Sequence, residues 1–171
     1  GQGGTVTLLA DDATLQFTET LSINASGFSL GGGNSNGESG LGLGGTVRMT
    51  VQGDNGILAL DELRAGTNGP FSDGGEGGGL PFAGDGSTGQ GGLTEFNVLG
   101  GTLTAVDIDV SSDGRGGSPG GLVNGPPDPV TGLTPSGNGG AGLGGQVVFN
   151  LDGGDATIGD LDVTANSRGG S

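Results

Sequence analysis

Paired carboxylates are the strongest candidates for chemistry in this chain. Asp107 and Asp109 stand two residues apart, as do Asp160 and Asp162. In an extended strand this spacing puts both members of a pair on one face. Two such acids can serve as acid and base in glycoside hydrolysis. Calcium, which takes oxygen ligands, is the other group they suggest. Both readings meet the same objection. The pairs recur at one place in successive similar stretches, as a repeated solvated face would, whereas a catalytic site would occur once. The glycine- and aspartate-rich nonapeptide of calcium-binding β-helices is also missing, since "GGDATIGDL" and "AGDGSTGQGG" do not fit it. No residue is therefore assigned a catalytic, cofactor-binding or metal-ligating role. No cofactor is expected.

Other chemistries do worse. The chain has no His, Cys or Lys, so the common nucleophile–base pairs are unavailable. A Walker-type phosphate loop lacks its lysine. "GLGLGG" from Gly40 has the look of a dinucleotide loop, but no helix pattern follows it. The Thr-x-Thr pairs beginning at Thr5 and Thr102 resemble the threonine ladders of ice-binding solenoids. Where the first repeat has "TVT", however, the next three read "TVR", "LTE" and "QVV", and an ice face needs a regular column. Asn24-Ala25-Ser26 fits the N-glycosylation acceptor. The chain does not read as an enzyme.

Charge and composition narrow the partners. Nineteen acids stand against four arginines, giving a net charge of −15. Such a surface stays hydrated and repels its neighbours. Nucleic acid is not an expected partner, because phosphate neutralisation needs basic clusters. Anionic membrane surfaces are disfavoured likewise. No run approaches the ~18 apolar residues that span a bilayer as a helix. Without cysteine there is no disulfide framework. Glycine supplies 46 of the 171 residues, well above the usual ~7%. There is no G-x-y period, which argues against collagen. With six Phe and no Trp or Tyr, a compact globular core is hard to build.

Repetition resolves the difficulty. Gly-Gly pairs open similar stretches at residues 3, 44, 91 and 144, at spacings of 41, 47 and 53 residues. Self-similarity at this scale marks a repeat architecture in which each unit buries its neighbour's apolar face. After each Gly-Gly, apolar residues fall two apart: Val6 and Leu8; Val47, Met49 and Val51; Phe96 and Val98; Val147, Phe149 and Leu151. That is a strand with one buried face. Glycine turns follow ("QGDNG", "LGG", "DGG"). A second segment then steps by three, from Leu60 to Leu63, Ala105 to Ile108 and Ile158 to Leu161. A three-residue step in a strand predicts a bulge or a corner. Val110 and Val163 follow two later, and Arg64 falls in the column of Asp109 and Asp162. No helix is predicted, since glycine interrupts every long window.

Between these stretches lie glycine-rich inserts covering roughly 27–43, 66–90 and 114–143. Inserts of changing length at one place in a repeat map to loops on one side of a solenoid. Glycine-rich chain of this kind can pack as extended polyproline-II-like segments. Leu41, Leu43 and Leu143 are candidates to pin the inserts to the scaffold. The longest insert holds "PPDP", and its stretch from Gly125 to Pro135 is a candidate binding surface.

The fold class is therefore all-β, a parallel β-solenoid of about four repeat units spanning 1–171 as a single array. A β-sandwich of four hairpins is the alternative, because the glycine turns also suit antiparallel hairpins. The chain starts and stops within the repeat pattern, as a window on a longer or self-assembling array would. Units such as "GGQVVFNLDGG" and "LDVTANSRGG", with glycine-rich inserts between, resemble large bacterial surface proteins of the filamentous-haemagglutinin-like and autotransporter adhesin types. The resemblance implies a right-handed parallel β-solenoid, secretion to the cell surface, and a structural or adhesive role. Expected partners are further copies or repeats of the same kind, or glycan and surface ligands.

Overall fold

The computed structural model describes residues 1–27, 41–67, 86–117 and 138–170. Within them the chain is all-β and contains no helix. The first stretch contributes β1 (Thr5–Asp11) and β2 (Thr14–Asn24), and the second β3 (Leu41–Leu43), β4 (Thr46–Gln52) and β5 (Ile57–Gly66). The third holds β6 (Thr88–Gln90), β7 (Leu93–Leu99), β8 (Thr102–Ser111) and β9 (Gly114–Arg115). The fourth holds β10 (Gly142–Leu143), β11 (Gln146–Asp152), β12 (Asp155–Thr164) and β13 (Ser167–Arg168).

Strands that are neighbours in sequence do not pair. They belong to different sheets, and each sheet collects the equivalent strand from every stretch. One sheet has the order β1-β4-β7-β11 and a second β2-β5-β8-β12; β3-β6-β10 and β9-β13 form smaller ones. All of these pairs are parallel. A sandwich of hairpins would pair β1 with β2 and β4 with β5 in antiparallel fashion, so that alternative is replaced by parallel sheets compatible with a β-solenoid. The turns "QGDNG", "LGG" and "DGG" are corners between sheets. At each corner one residue takes a left-handed backbone: Asp12 (φ 44°), Gly53 (80°), Gly100 (91°) and Gly153 (71°). Asp is among the few residues with a side chain that tolerate this region. Its carboxylate accepts the Asn55 N–H at 3.2 Å.

Register follows the sequence repeat. Thr5, Thr46, Leu93 and Gln146 align across the first sheet, which puts the four Gly-Gly pairs in one column. Inward positions then stack like on like. Leu8, Met49, Phe96 and Phe149 form one column, and Ala10, Val51, Val98 and Leu151 another. The rings of Phe96 and Phe149 lie parallel with centroids 4.3 Å apart. In β4 the burial alternates strictly, with Val47, Met49 and Val51 inside. Parallel sheets are commonly apolar on both faces; here only one face is covered, so polar residues occupy the other. The inward faces of the two larger sheets share a single core cluster.

The three-residue step is matched one to one across β5, β8 and β12, and a bulge stands only where β2 meets β5. Pairing skips Asp61, Val106 and Gly159, and in β2 it skips Thr18 and Glu19. Two consecutive residues face outward in β5, β8 and β12, and three in β2 (Thr18, Glu19 and Thr20), before the inward pattern resumes at Leu21, Leu63, Ile108 and Leu161.

The flanks of the glycine-rich inserts are hydrogen-bonded backbone, partly short strands. Their centres, including the stretch from Gly125 to Pro135, lie outside the described residues. Leu41 and Leu143 do not point inward here, whereas Leu43 is half-buried beside the Gly-Gly column. Leu41 and Leu143 are about half exposed, and the buried residue of β3 is Gly42. Glycine is required beside the Gly-Gly column because two backbone courses meet there without side chains between them. Gly45 N–H donates to the Ala25 carbonyl (2.7 Å), Gly92 N–H to Thr67 (2.6 Å) and Gly145 N–H to Ser112 (2.7 Å).

Candidate functional site

The acidic positions fall on the outer face of the β2-β5-β8-β12 sheet. Ile108 points into the core and is fully buried, so Asp107 and Asp109 flank it on the outside. Their columns run Thr20, Glu62, Asp107, Asp160 and Ser22, Arg64, Asp109, Asp162. The sequence expectation that Arg64 shares a column with Asp109 and Asp162 holds. Its direct partner, however, lies beside it on its own strand. Arg64 Nη2 stands 2.6 Å from Glu62 Oε1, and its Nε–H donates to the same oxygen at 2.7 Å. Thr20 Oγ1–H donates to the other carboxylate oxygen.

These contacts shift both groups. The Thr20 hydroxyl first, and then Arg64, hold the Glu62 carboxyl below the usual glutamate value of 4.5. Arg64 is pushed further up, first by its hydrogen bond to Glu62 and the charge there, and then by Asp109 and Asp107. On the other sheet Arg48 Nε lies 2.6 Å from Glu95 Oε2, one layer away in the same column. Cations therefore sit among the acids of the two middle stretches. The columns contain no such cation at the fourth, where Asp160 accepts only the Leu161 N–H, at 2.9 Å, among the contacts described.

The sheet face that bears Asp107 and Asp109 is open. Beside it a hollow of about 240 Å³ is lined by Ser22, Arg64, Asp109 and Ser111 among others. Among the described residues no group of three or more acids is placed to hold a metal ion. A larger groove of about 430 Å³ follows the Gly-Gly column, lined by Gln90, Gln146, Thr46, Leu43 and the glycines, with no ionisable residue among the described residues of its walls. The threonine pairs do not stack into a ladder, since Thr7 is followed in its column by Arg48, Glu95 and Val148. Asn24 ends β2, exposed, with its side-chain oxygen accepting the Ser26 N–H at 2.9 Å.

Sequence reading missed a buried hydroxyl cluster. Thr67, Thr94 and Ser112 are fully buried. Thr67 Oγ1–H donates to Ser112 Oγ at 3.0 Å and lies 3.4 Å from Thr94 Oγ1, and Ser112 Oγ–H donates to the Gly92 carbonyl at 2.7 Å. The available signal was Thr94 itself, which aligns with Val6, Val47 and Val147 at a core position. The cluster ties the second and third stretches together where the backbone courses meet.

The largest chemical feature is apolar. Phe96, Val98, Ile108 and Val110 are at most 3% exposed, whereas their column neighbours Phe149, Leu151, Leu161 and Val163 are 42, 58, 44 and 41% exposed. Among the described residues β11 and β12 are the last strands of their sheets. At the other end Val6 is 37% exposed, and Leu8, Leu15, Phe17 and Leu21 are half-buried.

Among the described residues no helix is long and apolar enough to cross a membrane. Comparison with protein-family models, curated proteins and solved structures finds no match.

Proposed function

We propose that the chain is a structural β-solenoid of four layers that forms part of an extracellular filament, stalk or surface adhesin. The observation that supports it best is the climb of the backbone. A stack of separate flat rings would link the end of each layer to its own beginning. Here the exit residue of each stretch, Ala25, Thr67 or Ser112, accepts from the entry glycine of the next, Gly45, Gly92 or Gly145. A single coil rising one layer per turn has that connectivity. Its mechanical properties follow from parallel backbone ladders running along the axis and a core continuous through every layer. The acidic outer columns keep the sides of such a rod hydrated and apart.

Oriented fibre diffraction with electron microscopy tests this. The expected result is a repeat of ~4.8 Å along the long axis of the particles. A repeat of that spacing lying across the long axis overturns the reading.

A glycan-binding role is the second reading, favoured by the groove along the Gly-Gly column. Its described lining is uncharged in a chain of net charge −15, and its amides and hydroxyl suit sugar hydroxyls. Binding of a neutral polysaccharide that Gln90→Ala weakens supports it; failure of a panel of neutral glycans to bind rejects it.

A further inference from the structure

We propose that the groove along the Gly-Gly column binds a linear, neutral β-1,4-linked polysaccharide lengthwise, its sugar rings running along the stack of layers at about one ring to a layer. The inference rests on the glycan-binding reading above. It adds the class of glycan, its direction and the side chains that hold it.

The walls of the groove carry the inference. One wall is a single column in which Gln2, Leu43, Gln90 and Leu143 follow one another from layer to layer. The other is the column of Thr46, Leu93 and Gln146. Amide and leucine alternate along the first wall. The second is set so that each layer offers one apolar and one hydrogen-bonding side chain: Leu43 with Thr46, Gln90 with Leu93, and Leu143 with Gln146. A pyranose ring has the matching character, an apolar C–H face and an edge of hydroxyls. The layers repeat at ~4.8 Å, comparable to the advance of one hexose in an extended chain. Because the columns keep their register, the groove runs along the stack and suits a ribbon-like chain better than a coiled one.

The register also leaves the amides for a ligand. Outside the groove Asn150 Nδ2 stands directly over Asn97 Oδ1, at 3.5 Å. In the groove wall a leucine separates Gln2 from Gln90, which puts them two layers and ~9.6 Å apart, beyond a direct hydrogen bond. Among the described residues the side chains of Gln2, Gln90 and Gln146 make no hydrogen bond.

The floor argues against a peptide. An extended peptide joins a protein through rows of backbone donors and acceptors. Here the N–H groups of the floor are already engaged. Gly44 donates to the Gln90 carbonyl at 2.7 Å and Gly91 to that of Leu143 at 2.8 Å, while Gly45, Gly92 and Gly145 donate across to Ala25, Thr67 and Ser112. Recognition falls to the wall side chains. Charge argues against acidic glycans: the described lining has no cation to pair with a uronate or sulfate, and a net charge of −15 repels both.

NMR titration of the chain with cellobiose, cellotetraose and cellohexaose, and with maltohexaose as the coiled comparison, tests this. Affinity should rise with length, cellohexaose binding at least about tenfold more tightly than cellobiose. The side-chain amide signals of Gln90 and Gln146, in different layers, should move together. Both residues are exposed, so Gln90→Ala and Gln146→Ala should keep the far-UV circular dichroism spectrum. Each should weaken cellohexaose about fivefold, as the loss of one hydrogen bond does, and the two losses should multiply in the double variant. Equal affinity for cellobiose and cellohexaose, tighter binding of maltohexaose, or a double variant no weaker than either single one overturns the lengthwise β-1,4 arrangement and leaves the glycan-binding reading standing. Binding of none of these sugars overturns it as well, and the panel of neutral glycans then decides the broader reading separately.

Discussion

Gly4 and Gly45 have the same place in successive repeats, but alanine should be harmless at the first and damaging at the second. A methyl on Gly45 falls against the Gly4 and Ala25 carbonyls. Each of those oxygens accepts a backbone hydrogen bond, from Thr46 at 2.9 Å and from Gly45 itself at 2.7 Å. Relieving the clash must lengthen both. A net hydrogen bond contributes about 1 kcal/mol, and a buried group left unpaired costs ~1–3 kcal/mol. Overpacking of a rigid site adds ~1–3 kcal/mol. Gly45→Ala should therefore destabilise by about 3–5 kcal/mol. At Gly4 the space is open, and the lower unfolded-state entropy of alanine favours folding by ~0.4–1 kcal/mol. Urea unfolding followed by circular dichroism, at concentrations where the chain is monomeric, measures both. For a chain of this size ~1 kcal/mol moves Tm by ~2–4 °C, so Gly45→Ala should melt about 10 °C or more below Gly4→Ala. Equal stability of the two variants would refute the reasoning, because the backbone of one stretch could not then be packed against the exit of the one before.

Three further outcomes follow from burial and charge. Phe96→Ala empties a fully enclosed site and should cost ~3–5 kcal/mol; Phe149→Ala, 42% exposed in the same column, should cost the monomer about half that or less by the same unfolding assay. Because the folded pKa of Glu62 lies below its unfolded value of 4.5, its stabilising effect is complete above pH 4.5 and disappears as pH falls through the lowered value. Thr20→Val removes the largest cause, so an NMR titration should find the Glu62 midpoint moved up, and an unmoved midpoint would contradict the Thr20 contact. Arg64→Gln deprives Glu62, Asp107 and Asp109 of their cation. Its loss of stability should be larger at ~0.01 M salt than at ~1 M, where screening is strong; a salt-independent loss would point to packing instead.

Much of the fold was legible because one face of each strand is buried. The two-residue alternation of Val47, Met49 and Val51 fixed both strand and face, and the three-residue step at Leu60–Leu63 marked where two residues in succession turn outward. The Gly-Gly pairs set the register, since only residues without Cβ fit where the courses meet. Pairing direction was less legible. "LGG" and "DGG" serve a hairpin or a corner equally, and what decides is burial of each stretch by the next, a long-range effect. The leucines of the inserts misled for a local reason. In β3 the inward position belongs to Gly42, and strand alternation then turns Leu41 outward. The hydroxyl cluster was hidden because Thr67, Thr94 and Ser112 are far apart in sequence and meet only through the register.

Stacking like on like is also what makes this molecule directional. The register that places valine over valine must place acid over acid, at a spacing of ~4.8 Å. The chain meets that cost unevenly. The outer columns begin with Thr20 and Ser22, acquire Glu62 with its compensating Arg64, and end with Asp107 and Asp109 under Asp160 and Asp162. These columns thus pass from hydroxyls in the first stretch to carboxylates in the fourth. The repeat that builds the core therefore also sets up a gradient of charge along its outer columns, which Arg64 offsets beside Glu62 in the second stretch.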